Sequence, residues 1–155
     1  TRLWRGKPFS FSGEHYTVKD AHFLPAAQQQ PRIPVWVAGK WPNKAPFRRA
    51  AQWDGVFPLL SGDDVRTYPD QIRAMMRFIG EHRKSDAPFD VTVHGTSPGN
   101  DLARGVELAE EYSEAGITWW QEAINERRPD LIDRAAGSSW IDAVRWRIGQ
   151  GPPKL

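Results

Sequence analysis

The chain has 155 residues, 8 tryptophans and no cysteine, and its 21 Lys and Arg residues against 19 Asp and Glu residues give a net charge of +2. The absence of cysteine excludes a disulfide scaffold and a thiolate metal site, and 39% hydrophobic with 12% aromatic residues argues against disorder. No run of about 18 apolar residues predicts a membrane span, and the scattered basic residues predict no nucleic-acid binding. The opening TRLWRGKPFS lacks the apolar stretch of a signal peptide, so we expect a cytoplasmic protein.

Residues 1–32 read as an irregular segment that contains a hairpin. The opening TRLWRG is typical of a helix end, with Gly6 as the stop signal. The following PFSFSGEHYTV alternates apolar and polar residues, which predicts a β-hairpin around Ser12-Gly13-Glu14, where Gly13 is able to adopt positive φ. A polar connector bounded by prolines leads to the rest of the chain, so we treat 1–32 as a helix end plus a hairpin insertion.

Residues 33–155 read as strand–helix units in one domain. Four apolar runs predict buried parallel strands, at 33–38 (IPVWVA), 55–60 (GVFPLL), 89–93 (FDVTV) and 117–124 (ITWWQEAI). Helical spacing of apolar residues follows each run, at 44–53, from Ser61-Gly62-Asp63-Asp64 as a cap to about 84, from 102 to a stop at Gly116, and around 141–148.

Four βα units in about 120 residues are half of what a complete (β/α)8 TIM barrel needs, about 250 residues. The sequence therefore predicts an α/β fold, half of a (β/α)8 barrel with parallel strands. A small doubly wound sheet is the alternative. No G-x-G-x-x-G follows the first strand, which disfavours a dinucleotide-binding fold.

Several motifs in this order resemble the luciferase-like monooxygenase superfamily. They are the helix end Leu3-Trp4-x-Gly6, the hairpin Phe11-x-Gly13-x-x-Tyr16, the strand Pro34 to Gly39, the Ala50-Ala51-x-x-Asp54-Gly55 segment, and the ending with Gly116 to Glu122 and Arg147 to Pro153. The resemblance implies a flavin-dependent oxidoreductase or monooxygenase that uses FMN or a deazaflavin coenzyme. It also implies that the chain carries the hairpin insertion and strands five to eight, without strands one to four, so we expect no activity from this half alone.

The resemblance places the phosphate end of the cofactor at the loop after the first predicted parallel strand, which contains Ala38, Gly39, Lys40 and Asn43. A glycine there allows close backbone approach to an anion, and lysine supplies charge; a tight turn with solvated lysines is the plain alternative. Pro58, at the end of the next strand, is a candidate contact of the isoalloxazine ring, with barrel packing as the alternative.

Two residues are weak candidates for catalysis. His94 follows the third parallel strand, where an imidazole can act as an acid or a base, although a loop histidine without a role is the simpler explanation. Glu122 lies in the fourth strand, and a structural ion pair with an arginine is favoured over catalysis. The histidines lack metal-ligand spacing, so we predict no metal site.

An open half barrel leaves two strand edges and an apolar face uncovered, which favours association. We therefore expect the partner to be a second copy of the chain, related by a two-fold axis, or the N-terminal half barrel. A small molecule is the expected substrate. A non-catalytic flavin-binding or assembly module that rebuilds the barrel by homodimerisation, and an unrelated small α/β domain, are the other hypotheses.

Overall fold

A computed structural model describes residues 2–62, 68–125 and 128–152. The chain divides into two compact units, Thr1–Val35 and Trp36–Leu155. Across the described ranges no helix is long and apolar enough to cross a membrane.

The first unit contains the predicted hairpin. A 3-10 turn, Leu3–Arg5, ends at Gly6 with φ +61°. Strands β1 (Phe9–Ser12) and β2 (Thr17–Ala21) pair antiparallel. Gly13 does not use the positive φ that is open to glycine, and the positive value in this hairpin belongs to Asp20 (φ +45°). Gly13 is needed for space instead, because a Cβ there would lie 2.9 Å from the Phe11 ring.

The second unit is built on a four-stranded parallel sheet in the order β3-β4-β5-β6. Its strands are β3 (Trp36–Lys40), β4 (Gly55–Leu59), β5 (Asp90–Gly95) and β6 (Trp119–Glu122). Its helices are α1 (Lys44–Ala50), α2 (Tyr68–His82), α3 (Leu102–Glu114), α4 (Pro129–Ala135) and α5 (Trp140–Gln150).

The core lies between one face of the sheet and the helices. Val37, Val56, Val91 and Val93 occupy alternate positions on three strands and are buried in the same cluster as helix residues Phe47, Ile72, Met75 and Ile79. Side chains alternate between the two faces of a strand, so one face of this sheet is helix-covered and the other is not.

The strand order excludes the doubly wound alternative for this sheet. A doubly wound sheet reverses its order at a switch point and carries helices on both faces, whereas here the strands follow one another in sequence order. Uninterrupted order with the core on one face is the arrangement of half a TIM barrel.

Three sequence predictions need adjustment. The first parallel strand starts at Trp36 rather than Ile33, because Pro34 has no N–H for a ladder hydrogen bond. His94 lies inside β5 rather than after it, where it pairs with Gln121 of β6. Helix α4 was not predicted, although its proline at the first helical turn is a start signal. Asp63 and Asp64 of the predicted cap lie outside the described residues.

Candidate functional site

The face of the sheet opposite the core is called the open face here. It carries Trp36, Ala38 and Lys40 from β3, Gly55, Phe57 and Leu59 from β4, Asp90, Thr92 and His94 from β5, and Trp119 and Gln121 from β6. Leu59 and Trp119 are each 54% exposed although both are large apolar residues. Such a surface is typical of a binding or association site.

The amino end of the open face is fixed by a hydrogen-bonded cluster. The indole Nε1 of Trp36 donates to the Asp90 carboxylate at 3.0 Å, and that of Trp119 donates to its other oxygen at 3.1 Å. The two rings lie 5.8 Å apart and are tilted by 52°. Gly55 gives Trp36 room, because a Cβ there would lie 2.6 Å from the indole. The cluster holds β3, β5 and β6 together at one end of the sheet.

The carboxyl end of the open face is the part where the active sites of such barrels lie. Ala38, Lys40 and His94, all predicted site residues, are exposed there. The side chain of Lys40 makes no ion pair with any described carboxylate. Gln121 stands opposite His94, and the Thr92 hydroxyl one step below is buried without a hydrogen-bond partner among the described residues. The structure therefore brings these predicted residues together at the carboxyl end of the open face.

Gly39 and Pro58 lie on the other face. A Cβ on Gly39 would lie 2.4 Å from Pro46 of α1, so glycine allows the close packing of helix on strand. Pro58 is the register partner of Gly39 and is buried. Leu59, not Pro58, is the β4 residue that reaches the open face at this end. The ring contact predicted for Pro58 stays a prediction, and its position disfavours it.

The turn between β3 and α1 is held by backbone hydrogen bonds. Asn43 N–H donates to Lys40 O at 3.0 Å, and Trp41 N–H donates to Leu59 O at 3.0 Å. Asn43 precedes α1 with an extended backbone and no capping hydrogen bond from its side chain. The ammonium of Lys44 lies 3.8 Å from the Trp41 ring centroid and 4.5 Å from that of Phe78. The Lys44 ammonium therefore lies over two aromatic rings, whereas Lys40 is exposed at the end of β3.

Glu122 lies on the helix-covered side at the end of β6, within a polar cluster. Its carboxylate pairs with Arg128 and lies 3.1 Å from Arg147, and both arginine side chains are 3% exposed. Trp120 Nε1 donates to it at 2.8 Å, and Ser97 donates through its N–H at 3.0 Å and its hydroxyl at 2.9 Å. The arginine partner considered for Glu122 is thus present, which favours the structural ion pair over catalysis.

Sequence inspection missed Ser97, Arg128 and Arg147 as members of this cluster. They come from three different segments, and Arg147 and Ser97 are separated by 50 residues although they bond at 2.8 Å. The only available signal in the sequence was an excess of hydrogen-bond donors near the acidic strand residue Glu122. Only the fold brings such distant residues together.

Hydrogen bonding determines the ionisation state of two neighbouring carboxylates, those of Glu122 and Asp130. Burial by itself raises the pKa of Glu122, but hydrogen bonds from Trp120, Ser97 and Arg128 outweigh it and hold the pKa below its ordinary 4.5. The Arg128 hydrogen bond likewise holds the pKa of Asp130 below 3.8, against the effect of burial. Both groups are therefore charged at neutral pH.

A sequence model of the luciferase-like monooxygenase family matches residues 1–148. The chain belongs to this family. The resemblance identified from the motifs is confirmed over nearly the whole chain, and the general oxidoreductase kind follows from it. No curated protein sequence matches the chain at significant similarity.

Members of the luciferase-like family generally use flavin-type cofactors, and the carboxyl end of the open face has suitable chemistry for one. The residues that could hold one are Phe57 and Leu59, which are apolar, and Lys40, which is a cation. In the described ranges no group of three or more acidic or histidine side chains is arranged to hold a metal ion.

Proposed function

We propose that this luciferase-like chain provides the C-terminal half barrel of a flavin-dependent oxidoreductase or monooxygenase, with FMN or a deazaflavin coenzyme at the carboxyl end of the open face. The observation that carries the proposal is the exposed Lys40 at the end of β3, beside the apolar residues Ala38 and Leu59. A cation next to an exposed apolar strip suits a ligand with a flat ring and an anionic tail. A cytoplasmic location and a small organic substrate complete the proposal.

We assign a role to each residue at the carboxyl end of the open face. The Lys40 ammonium holds the anionic end of the cofactor, with backbone groups of residues 38–43 around it. Ala38 is small enough for a ring to lie against the strand, and Leu59 contacts its apolar surface. A bound flavin or deazaflavin supplies hydride or oxygen chemistry. His94 is placed to hold or move a proton at its imidazole nitrogens.

The half barrel needs a partner before it can enclose a substrate. Strands β3 and β6 each have one neighbour among the described strands, which leaves an edge of each for pairing. A TIM barrel closes with eight strands, so we propose that an N-terminal half barrel or a second copy of the chain supplies the other four. Without that half, we expect no turnover, because the open face is not shielded from water.

The unpaired edges also favour the second hypothesis. A homodimer with β3 of one copy beside β6 of the other rebuilds an eight-stranded barrel that binds flavin without catalysis. Turnover separates the two possibilities. If an added N-terminal half barrel produces flavin-dependent oxidation of a substrate, the enzyme hypothesis holds. If the chain forms a flavin-binding dimer that stays inactive with that half, the module hypothesis holds.

The cofactor site is tested by titrating the 155-residue chain with FMN and with riboflavin, which lacks the phosphate, and following flavin fluorescence. Lys40→Gln is expected to weaken FMN binding by about tenfold while leaving riboflavin binding unchanged. Lys84→Gln, an exposed lysine beyond the end of α2, is the matched control. The same titration with a deazaflavin coenzyme decides between the two cofactor types. Equal FMN affinity in both variants would overturn the phosphate role of Lys40.

A further inference from the structure

The first unit contains a cavity of its own, lined in part by basic residues, which we call the basic cavity. It has a volume of about 660 Å³, within the usual range for sites that hold a small molecule, about 300 to 1,000 Å³. The lining comes from two segments of the first unit, within residues 4–7 and 26–32. None of the residues assigned above to the cofactor belongs to it, so its occupant is a separate question from the flavin site.

The two segments that form the basic cavity are joined to one another. Ala27 N–H donates to Trp4 O at 2.9 Å, and His22 Nε2 donates to Gly6 O at 3.0 Å. Gly6 has φ +61°, and a Cβ there would lie 2.7 Å from the Cβ of Ala26, so glycine allows the close approach of the segments. The cavity is therefore a product of the folded first unit rather than of a single loop.

The basic cavity has cations in its lining and no carboxylate. Arg5, Lys7 and Arg32 line it, and no described Asp or Glu does. Arg5 and Lys7 are exposed and make no ion pair with a described carboxylate. Arg32 is half-buried and donates from Nη1 to Ile33 O at 3.0 Å, which fixes one end of its guanidinium. Three cations around one space attract an anion.

The rest of the first unit does not neutralise these cations. Residues 1–35 contain five Lys and Arg residues against two Asp and Glu residues, whereas residues 36–155 contain 16 against 17. Of the two acidic residues, Asp20 accepts a hydrogen bond from Ser10 Oγ at 3.3 Å, and Glu14 lies 3.9 Å from His15. Neither lines the cavity. The excess positive charge of the chain therefore lies in the unit that contains the basic cavity.

Neutral donors and an apolar surface complete the lining. Gln29 and Gln30 bring side-chain amides, and Trp4 brings an indole N–H. None of these three side chains donates a hydrogen bond to another described residue. Ala27, Pro31 and the ring of Trp4 are apolar. An occupant with several acceptor oxygens and an apolar group matches this lining.

The charge of the lining favours a doubly charged anion over a carboxylate. A phosphate monoester carries about −1.5 to −2 charges at neutral pH and has three strong acceptor oxygens, whereas a carboxylate has a single charge and two oxygens. Arginine binds phosphate through paired hydrogen bonds, and lysine binds it as a point charge. A donor set of three cations and two amides therefore suits a phosphate.

We propose that the basic cavity binds a small phosphate monoester that carries an apolar organic group. The phosphate lies among Arg5, Lys7 and Arg32, and the apolar group lies against Trp4 and Pro31. This proposal does not depend on the flavin function, because the flavin residues belong to the second unit and the lining of the cavity belongs to the first.

The probe for the test is 1-naphthyl phosphate, titrated into the 155-residue chain by isothermal calorimetry at about pH 7.5, where the monoester is mostly a dianion. Two compounds with the same ring are titrated in parallel. They are 1-naphthyl sulfate, a tetrahedral anion with a single charge, and 1-naphthol, which is uncharged. We expect the phosphate to bind at least about fivefold more tightly than the sulfate, and the naphthol to bind most weakly. Equal affinity for the phosphate and either comparison compound would overturn the proposal.

Matched variants locate the binding site. Arg5→Gln and Lys7→Gln are each expected to weaken binding of 1-naphthyl phosphate by about tenfold, because each removes a charged donor. Lys19→Gln is the control, since Lys19 is an exposed lysine on β2 of the same unit that does not line the cavity. An equal loss in Lys7→Gln and Lys19→Gln would show diffuse attraction by the charge of the unit and would overturn the assignment to the cavity.

Lys40 is the other proposed contact of an anion, so a variant there distinguishes the two sites. Lys40→Gln is expected to leave binding of 1-naphthyl phosphate unchanged. Loss of binding in Lys40→Gln together with full binding in Arg5→Gln and Lys7→Gln would place the phosphate at the loop after β3 and overturn the proposal. Because Arg5, Lys7, Lys19 and Lys40 are all exposed, these variants are expected to fold, and circular dichroism checks that they do.

Discussion

Arg147 of α5 lies 3.1 Å from Glu122 at the end of β6, and its side chain is 3% exposed. The same guanidinium donates to Ser97 Oγ at 2.8 Å and to Gly151 O at 3.1 Å. The last helix is therefore attached to the carboxyl end of the sheet by charge-assisted hydrogen bonds, which are the stronger kind. Stability at this end of the half barrel depends on one carboxylate.

Glu122→Gln is expected to destabilise the chain by about 2–4 kcal/mol, because it leaves two buried arginines with Asp130 as their one remaining counter-charge. Urea unfolding followed by circular dichroism measures the change. Glu107→Gln is the control, since Glu107 pairs with Arg104 on the surface of α3 at 2.8 Å, and such a pair contributes about 0.5 kcal/mol or less. Equal losses in the two variants would contradict the structural role of Glu122.

Acid is expected to weaken the same cluster. The pKa of Glu122 in the folded chain lies below its ordinary 4.5, and that of Asp130 lies below 3.8. Their contribution to stability is complete above these ordinary values and is lost as the pH falls through the folded-state values. Unfolding midpoints measured from about pH 6 to about pH 3 are expected to fall in the acid range. The unfolding midpoint of Glu122→Gln should fall less steeply as the pH is lowered. An unchanged pH dependence would count against this role of Glu122.

Asp90→Ala is expected to destabilise the amino end of the open face. It removes the acceptor of two indole N–H groups, those of Trp36 and Trp119. Because Trp119 is 54% exposed, water replaces part of the loss, and we expect about 1–2 kcal/mol. Asp86→Ala, in the exposed segment just before β5, is the control. Urea unfolding measures both, and tryptophan emission should shift in Asp90→Ala alone.

Substitution of glycine by alanine is expected to change the stability of the chain in opposite directions at Gly55 and Gly80. At Gly55 a Cβ would lie 2.5 Å from Asp90 O and 2.6 Å from the Trp36 ring, so Gly55→Ala should cost about 1–3 kcal/mol. At Gly80, an exposed position of α2, nothing lies within 4 Å of the added atom. Gly80→Ala should therefore stabilise the chain by about 0.5–1 kcal/mol. Thermal unfolding measures the two shifts, and a shift of the same sign in both would refute this account of the packing.

Local signals in the sequence were enough to predict the order of the strands and of every helix except α4. Continuous apolar runs predicted the four parallel strands to within a few residues, because strands of a parallel sheet are rich in apolar residues. The stop at Gly116 is confirmed by its φ of +104°, which few residues other than glycine adopt. The motifs that resemble the luciferase-like family were also local, and the family match confirms them.

Tertiary structure alone decided which face each residue occupies and which distant residues meet. A shift of one residue in a strand moves a side chain to the opposite face, so the burial of Pro58 and the exposure of Leu59 could not be read from the run GVFPLL. The pairing of Glu122 with Arg128 and Arg147 depends on the packing of α5 against the sheet. The sequence by itself determined the strands, the helices other than α4 and the family, because these depend on short-range patterns. The open face and the buried ion cluster depend on contacts between residues far apart in the chain, which only the folded structure brings together.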